Sequence, residues 1–303
     1  LQRESILELF ESEQEKIFIA CPGKIMIAGE WSILEEKNQC IAVPTDRKVF
    51  VEIERVGGII CKVQTGCLEN KVFEINLLQS KPEVVSSCFN GEKNYLKFVL
   101  IAIQISVQFL REKEVKVYSF NLKIDSSQLS IDGIKIGLGS SAAVVVAVIE
   151  SILSLHGHGR KRSKFDFNDM LFKMGCIAHY KAQRKLGSCY DIAVCVFQRP
   201  LVYKKFNSVW LTSFLDENVE ILNILNQHWP SLQISPICLP QGTFICVGFS
   251  GSSSSTRNLI EKVNRFKNER YSEYSKVIAG VALETDHLIE AIENKIQRLN
   301  CER

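Results

Sequence analysis

The sequence predicts an α+β protein in two lobes, on three observations. Its 303 residues exceed the roughly 100–200 of a typical single domain. The stretch up to Phe206 alternates strand-forming segments with stretches of helical periodicity. From about Asn207 the composition changes, with Trp229-Pro230, Pro236 and Pro240 ahead of a separate strand, Gly-Ser loop and pair of helical stretches. The expected division is an N-terminal lobe over 1–206 and a C-terminal lobe over 207–303.

The elements follow in order. Glu4 to Lys16 is a polar, helix-forming lead. Ile17 to Ala20 and Lys24 to Ala28 read as two short strands of a hairpin, because Cys21-Pro22-Gly23 between them carries a turn dipeptide. Residues 40–62 alternate apolar and polar in part, with Gly57-Gly58 as the next turn. Asn94 to Arg111 places Leu96, Val99, Leu100, Ile103 and Val107 at helical spacing, and Tyr118 to Ile124 then alternates as a strand does. A long apolar helix starts after Gly139 and ends near Gly157, and Phe165 to Lys185 forms another. Ile192 to Phe197 and Leu201 to Phe206 read as a strand pair. Thr243 to Phe249 reads as a further strand, followed by helices over about Arg257 to Phe266 and Glu273 to Lys295.

Composition narrows the function classes. With 37 Lys+Arg against 34 Asp+Glu the formal net charge is only +3, so the electrostatic footprint of a nucleic-acid-binding protein is absent. Hydrophobic residues make up 46%, too many for a disordered chain. The apolar runs Phe98 to Leu110 and Ile136 to Ile149 fall short of the roughly 18–20 residues that span a membrane, and no basic segment leading into an apolar one marks a secretory signal. The 11 cysteines include no C-x-x-C pair, which removes metal-ribbon and thioredoxin readings. Scattered among apolar neighbours they behave as small hydrophobes, and a cytoplasmic, reducing location is expected.

Four segments carry chemistry. In Gly137-Leu138-Gly139-Ser140-Ser141-Ala142-Ala143 two glycines allow close backbone approach to a ligand. The helix that follows turns unpaired N–H groups and its positive end toward that ligand, which suits a phosphate. The segment is neither a Walker A loop nor a G-x-G-x-x-G turn, and a plain serine cap would need no glycines. The second is Gly187-Ser188-Cys189-Tyr190-Asp191, where Asp191 is either a general base or anchor, or simply a turn residue. The third, Ser250-Gly251-Ser252-Ser253-Ser254-Ser255-Thr256-Arg257, offers N–H and O–H donors to a second anion, or is a loop ending in a helix cap. The fourth is Pro22-Gly23-Lys24, where Lys24 opens a strand directly after a tight turn. Lys135, two residues before Gly137, is a further cation. Two anion cradles in one chain point to a donor and an acceptor phosphate, and so to phosphoryl transfer.

Pro22-Gly23-Lys24 with Ala28-Gly29-Glu30, followed by Gly137 to Ala143, resembles the first and second motifs of the galactokinase, homoserine kinase, mevalonate kinase and phosphomevalonate kinase superfamily. The segments around Asp191, Trp229-Pro230 and Ser250 resemble the bacterial phosphomevalonate kinases within it. The resemblance implies an N-terminal lobe of the ribosomal-protein-S5-domain-2-like fold. It also implies ATP- and Mg²⁺-dependent phosphorylation of (R)-5-phosphomevalonate to 5-diphosphomevalonate in the mevalonate route to isoprenoids, by a monomer or homodimer. Carried over by motif position, Gly137, Leu138, Gly139, Ser140, Ser141 and Ala142 would wrap the ATP phosphates, and Ser141 would join the Mg²⁺ shell. Asp191 would be the base or anchor and Lys24 would stabilise the attacking oxygen, while Lys135, Ser252, Ser254, Ser255 and Thr256 would contact phosphate. Two departures stand out. The Gly-Gly-Gly-Asp-Cys type of third motif, expected after the Ser250 loop, has no counterpart before Arg303, so the C-terminal lobe is expected to be incomplete. Gln198-Arg199-Pro200 stands where a more acidic or glycine-rich turn is implied. A mevalonate kinase, another small-alcohol kinase, or a nucleotide-binding remnant without turnover are the competing readings.

Overall fold

The computed structural model describes residues 16–66, 71–77, 83–84, 93–131, 134–159, 164–184, 187–216, 219–251 and 256–301. Its strands are β1 (Lys16–Ala28), β2 (Gln39–Val56), β3 (Ile60–Thr65), β4 (Val72–Asn76), β5 (Glu83–Val84), β6 (Ser119–Asp125), β7 (Ser130–Ile131), β8 (Ile134–Lys135), β9 (Leu201–Lys204) and β10 (Gln233–Pro236). Its helices are α1 (Lys93–Glu112), α2 (Ser140–Leu155), α3 (Lys164–Gln183), α4 (Tyr190–Phe197), α5 (Ser208–Asp216), α6 (Ile221–Leu225), α7 (Thr256–Glu269) and α8 (Tyr271–Cys301). The expected lead over Glu4 to Lys16 lies, apart from Lys16, outside the described residues.

The main sheet runs β10-β9-β2-β6-β3-β4-β5, with β1 paired antiparallel to β2. All its pairings are antiparallel except β3 with β6. The long β2 organises it, because its first residues pair with β9 and its last with β6, while β1 follows its other edge. Side chains alternate across it, as strand geometry demands. Cys40 and Ala42 face the main core, while Ile41 joins Ile289 and Ile292 of α8 on the opposite side. Against the main face lies α2, whose residues from Ala142 to Leu153 are all buried. It packs between α1, α3 and α4 on one side and β1 and β2 on the other, which is why its sequence is apolar all round.

Three expectations are corrected. The hairpin over residues 17–28 is one continuous strand, β1, with its register shifted between Pro22 and Lys24. Pro22 lacks an N–H, but among the described residues β1 pairs with β2 alone, and an edge strand with a bulge tolerates that loss. Ile192 to Phe197 is helical, not a strand, and forms most of α4. The segment is buried on all sides, so its uniform apolarity carries no periodicity to separate the two readings. Thr243 to Phe249 forms no strand: among the described residues none pairs with it, and Phe244 is 88% exposed.

The packed unit also extends past the division expected at 206/207. Leu211, Ile221, Ile224 and Trp229 join the main core and β10 pairs with β9. Trp229 fills the space between Phe206, Phe172 and Trp210, and its indole N–H donates to the Ile224 carbonyl at 3.1 Å. Beyond residue 237 the described chain is an extended exposed segment followed by α7 and α8. Among the described residues no helix is long and apolar enough to cross a membrane.

Candidate active site

The bulge in β1 sets the site. A Cβ at Gly23 would stand 2.8 Å from Thr45 Oγ1 and 2.9 Å from the Leu138 carbonyl oxygen, so only glycine lets the two backbones meet there. The Lys24 N–H then donates to the Leu138 carbonyl at 2.9 Å, joining the strand to the Gly-Ser loop. Gly139, at φ 75°, is the left-handed residue that starts α2, and as a glycine it brings no side chain to cap this helix end. The N–H groups of Ser140, Ser141 and Ala142 occupy the first helical positions, where an α-helix has no internal acceptors. A Cβ at Gly139 would meet Lys24 Cε at 2.8 Å. The Lys24 side chain therefore lies across the start of α2, adding a cation to the helix's positive end.

The far side of Lys24 meets the first turn of α4. Its ammonium is 5.1 Å from the centre of the Tyr190 ring. Burial pulls the ammonium's pKa down, but Tyr190 and Asp191 outweigh it and leave the group above the ordinary lysine value. Burial also raises the Tyr190 phenol, so near neutral pH the negative charge facing Lys24 is that of Asp191. Asp191 sits in the first helical turn, where a carboxylate is favoured by the helix dipole, and its Oδ1 accepts the Ile192 N–H at 3.0 Å.

The surrounding thiols are structural. Cys195 of α4 donates to the Pro22 carbonyl at 3.2 Å, clamping α4 to the β1 bulge. The Tyr203 hydroxyl of β9 donates to the Ser188 carbonyl at 2.7 Å and holds the turn before Asp191. Burial pushes the Cys40 thiol up to about 12, and it likewise raises Cys176 and Cys195. These thiols stay protonated and are poor nucleophiles.

Ser141, in the first turn of α2, places its Oγ 3.4 Å from Nε2 of His179 on α3. Thus β1, the Gly-Ser loop, α2 and α4 bring Lys24, Gly137 to Ala142 and Asp191 into one place. Lys135 is exposed on β8, in the two-stranded ribbon ahead of the loop. Ser252, Ser254 and Ser255 lie outside the described residues, and Thr256 opens α7 with its side chain likewise outside the description. Sequence reasoning gave no role to Tyr190 or His179. Their signals were present: an aromatic residue directly beside Asp191, and a His-x-x-x-Gln pair, His179 and Gln183, on one helix face.

The family description "GHMP kinases N terminal domain" matches residues 94–199. The phosphomevalonate kinase of Saccharolobus solfataricus is 30% identical over 92% of this chain and 73% of its own length. The chain belongs to the GHMP kinase family. A second relative, the phosphomevalonate kinase of a Streptomyces species, is 25% identical over 83% of this GHMP-family chain and 66% of its own length. The chain thus spans just under two thirds, 66%, of the first curated relatives it matches. Its fold is shared with the Streptococcus pneumoniae phosphomevalonate kinase solved with phosphomevalonate and AMPPNP, at a TM-score of 0.72 and 20% identity over 92% of this chain and 74% of that one.

Proposed function

We propose that the chain transfers the γ-phosphoryl group of ATP to (R)-5-phosphomevalonate, giving 5-diphosphomevalonate and ADP. The observation that carries the reading is the Lys24 side chain, which lies across Gly139 at the uncapped start of α2 and faces Tyr190 and Asp191. The substrate class is that of the phosphomevalonate kinases the chain is similar to.

In this reading the backbone N–H groups of residues 140–142 hold the nucleotide phosphates, aided by the positive end of α2. Lys24, a full cation, neutralises the acceptor phosphate oxygen as it approaches. Asp191 keeps that ammonium charged and aimed. An ionised phosphate needs no strong base, so positioning and charge neutralisation carry most of the rate. The donor set fits Mg²⁺: Ser141 offers a hard hydroxyl oxygen at the end of the cradle and would hold the ion together with the nucleotide, since Mg²⁺ is commonly bound by few protein oxygens. When bound, Mg²⁺ would offset charge on the transferring phosphoryl group. Lys135, Ser252, Ser254, Ser255 and Thr256 remain proposed phosphate contacts, and a cytoplasmic location is part of the same proposal.

The test is a coupled ADP-release assay with Mg·ATP and, in parallel, phosphomevalonate, mevalonate and no acceptor. Turnover with phosphomevalonate alone is expected; turnover with mevalonate instead, or ATP binding without turnover on any acceptor, rejects the proposal. Asp191→Asn is expected to lower kcat by about 100-fold or more with ATP affinity almost unchanged, the pattern of an interaction made in the transition state.

A further inference from the structure

We infer that His179 is a positioning residue that turns Ser141 into a ligand for metal-bound ATP rather than a donor to bare phosphate; the inference rests on the phosphoryl-transfer reading above. His179 is 6% exposed, on the face of α3 that packs against α1 and α2. Its ring lies against Phe98 with centroids 5.4 Å apart. Its Nε2 is 3.2 Å from the amide nitrogen of Gln183, one turn further along α3, and 3.4 Å from Ser141 Oγ.

The chemistry follows from the donors available. An amide nitrogen only donates, so the Gln183 contact makes Nε2 an acceptor and leaves the ring proton on Nδ1. The Ser141 hydroxyl faces the same bare nitrogen at 3.4 Å and shares that nitrogen's one lone pair with the amide. Its proton is thereby turned toward the ring, and what it presents to the phosphate cradle is the oxygen's lone pairs. Lone pairs are what a hard cation takes, whereas phosphate oxygens need a proton. With the proton on Nε2 the serine would accept from the ring and turn its own hydrogen toward the phosphates, favouring metal-free nucleotide. His179 and Gln183 together set which form Ser141 presents, although neither need touch the nucleotide.

Isothermal titration of ATP into the full chain, once with EDTA and once with excess Mg²⁺, gives the increment in affinity due to the metal. In His179→Phe this increment is expected to shrink by about tenfold, the scale of one net hydrogen bond, while affinity in EDTA is expected not to fall and to rise where the freed hydroxyl donates to phosphate. Ser141→Ala is expected to lose the same increment. The double substitution should lose no more than either single one, because His179 acts only through the serine. His179→Gln, which restores an acceptor near the Nε2 position, should recover most of the increment and carries the comparison with Ser141→Ala if the Phe variant fails to fold. An undiminished increment in His179→Phe, or an equal further loss when it is added to Ser141→Ala, overturns the inference and leaves the kinase reading standing. A wild-type chain that binds no ATP overturns both.

Discussion

Replacing Gly139 with alanine separates the backbone's role from that of Lys24. At φ 75° the residue is left-handed, and an added Cβ would stand 2.8 Å from Lys24 Cε and 3.0 Å from its Cγ. The backbone conformation costs an L-residue about 1–2 kcal/mol, which in a chain of this size lowers Tm by only about 2–4 °C. The contact itself is relieved by moving a flexible side chain, so it adds little to stability. What it moves is the ammonium beside the Tyr190 ring, and a displacement of about 1 Å at a reacting centre costs about 100-fold in rate. Gly137→Ala is the control, since Gly137 has φ +81° and nothing within 4 Å of its would-be Cβ. It imposes the same strain without pushing Lys24. Melting curves should show similar losses for both variants. The ADP-release assay at saturating ATP should show kcat down about 100-fold in Gly139→Ala and by less than about threefold in Gly137→Ala. Equal kcat losses in the two would refute the argument that Gly139 is required to seat Lys24.

Three further outcomes are expected. Gln198, exposed and at φ 54° just after α4, should stabilise the protein by about 1 kcal/mol when replaced by glycine; a urea midpoint that does not rise counts against strain at this cap. Lys173, with its side chain 8% exposed, donates to the carbonyls of Leu225 and Gln227 at 3.0 Å each and pairs with Asp169. Lys173→Met should therefore cost about 2–3 kcal/mol by leaving buried acceptors unpaired, and a loss under about 1 kcal/mol in chemical denaturation would show that water replaces the amine. His156 donates through Nδ1 to the Ile152 carbonyl at 2.8 Å and accepts the Tyr118 N–H at Nε2 at 2.9 Å, and burial holds its pKa below the ordinary imidazole value. The unfolded chain thus takes up a proton at higher pH than the folded one. This contribution to stability is complete above an ordinary imidazole pKa of about 6.5 and is lost as pH falls below it; unfolding curves between pH 7.5 and 5.5 should show a fall that His156→Gln diminishes.

The elements legible in the sequence were those with an unambiguous period or a strong end signal. Helix α1 shows its one-sided apolar spacing, and α2 announces itself through the glycines before Ser140 and Gly157 after Leu155. Where a segment is surrounded by protein the signal vanishes: α4 touches α2, α3, β1 and β2, so every position from Ile192 to Phe197 is apolar and no period survives. Pro22-Gly23 reads locally as a turn, yet an edge strand absorbs both residues as a bulge. Thr243 to Phe249 carries strand-forming residues, but a strand exists only with a partner to bond. In the site, each motif was visible alone, from the Gly-Ser loop to Lys24 and Asp191. Their meeting was not visible, because it depends on bonds between distant segments: Lys24 to Leu138, and Cys195 to Pro22.

The misread element is also the one that makes the site work. Had Ile192 to Phe197 continued back as a strand, Tyr190 and Asp191 would project to opposite faces, and one of them would point away from Lys24. In the first turn of a helix adjacent side chains lie about 100° apart, close enough for both to face one ammonium. The left-handed residue Cys189, at φ 62°, provides the reversal that starts the helix there. The charge of Lys24 is thus held by the helical state of α4. A substitution that unwinds this first turn should lower kcat and the lysine's pKa together, whereas one that only weakens the far end, beyond Val196, should change stability alone.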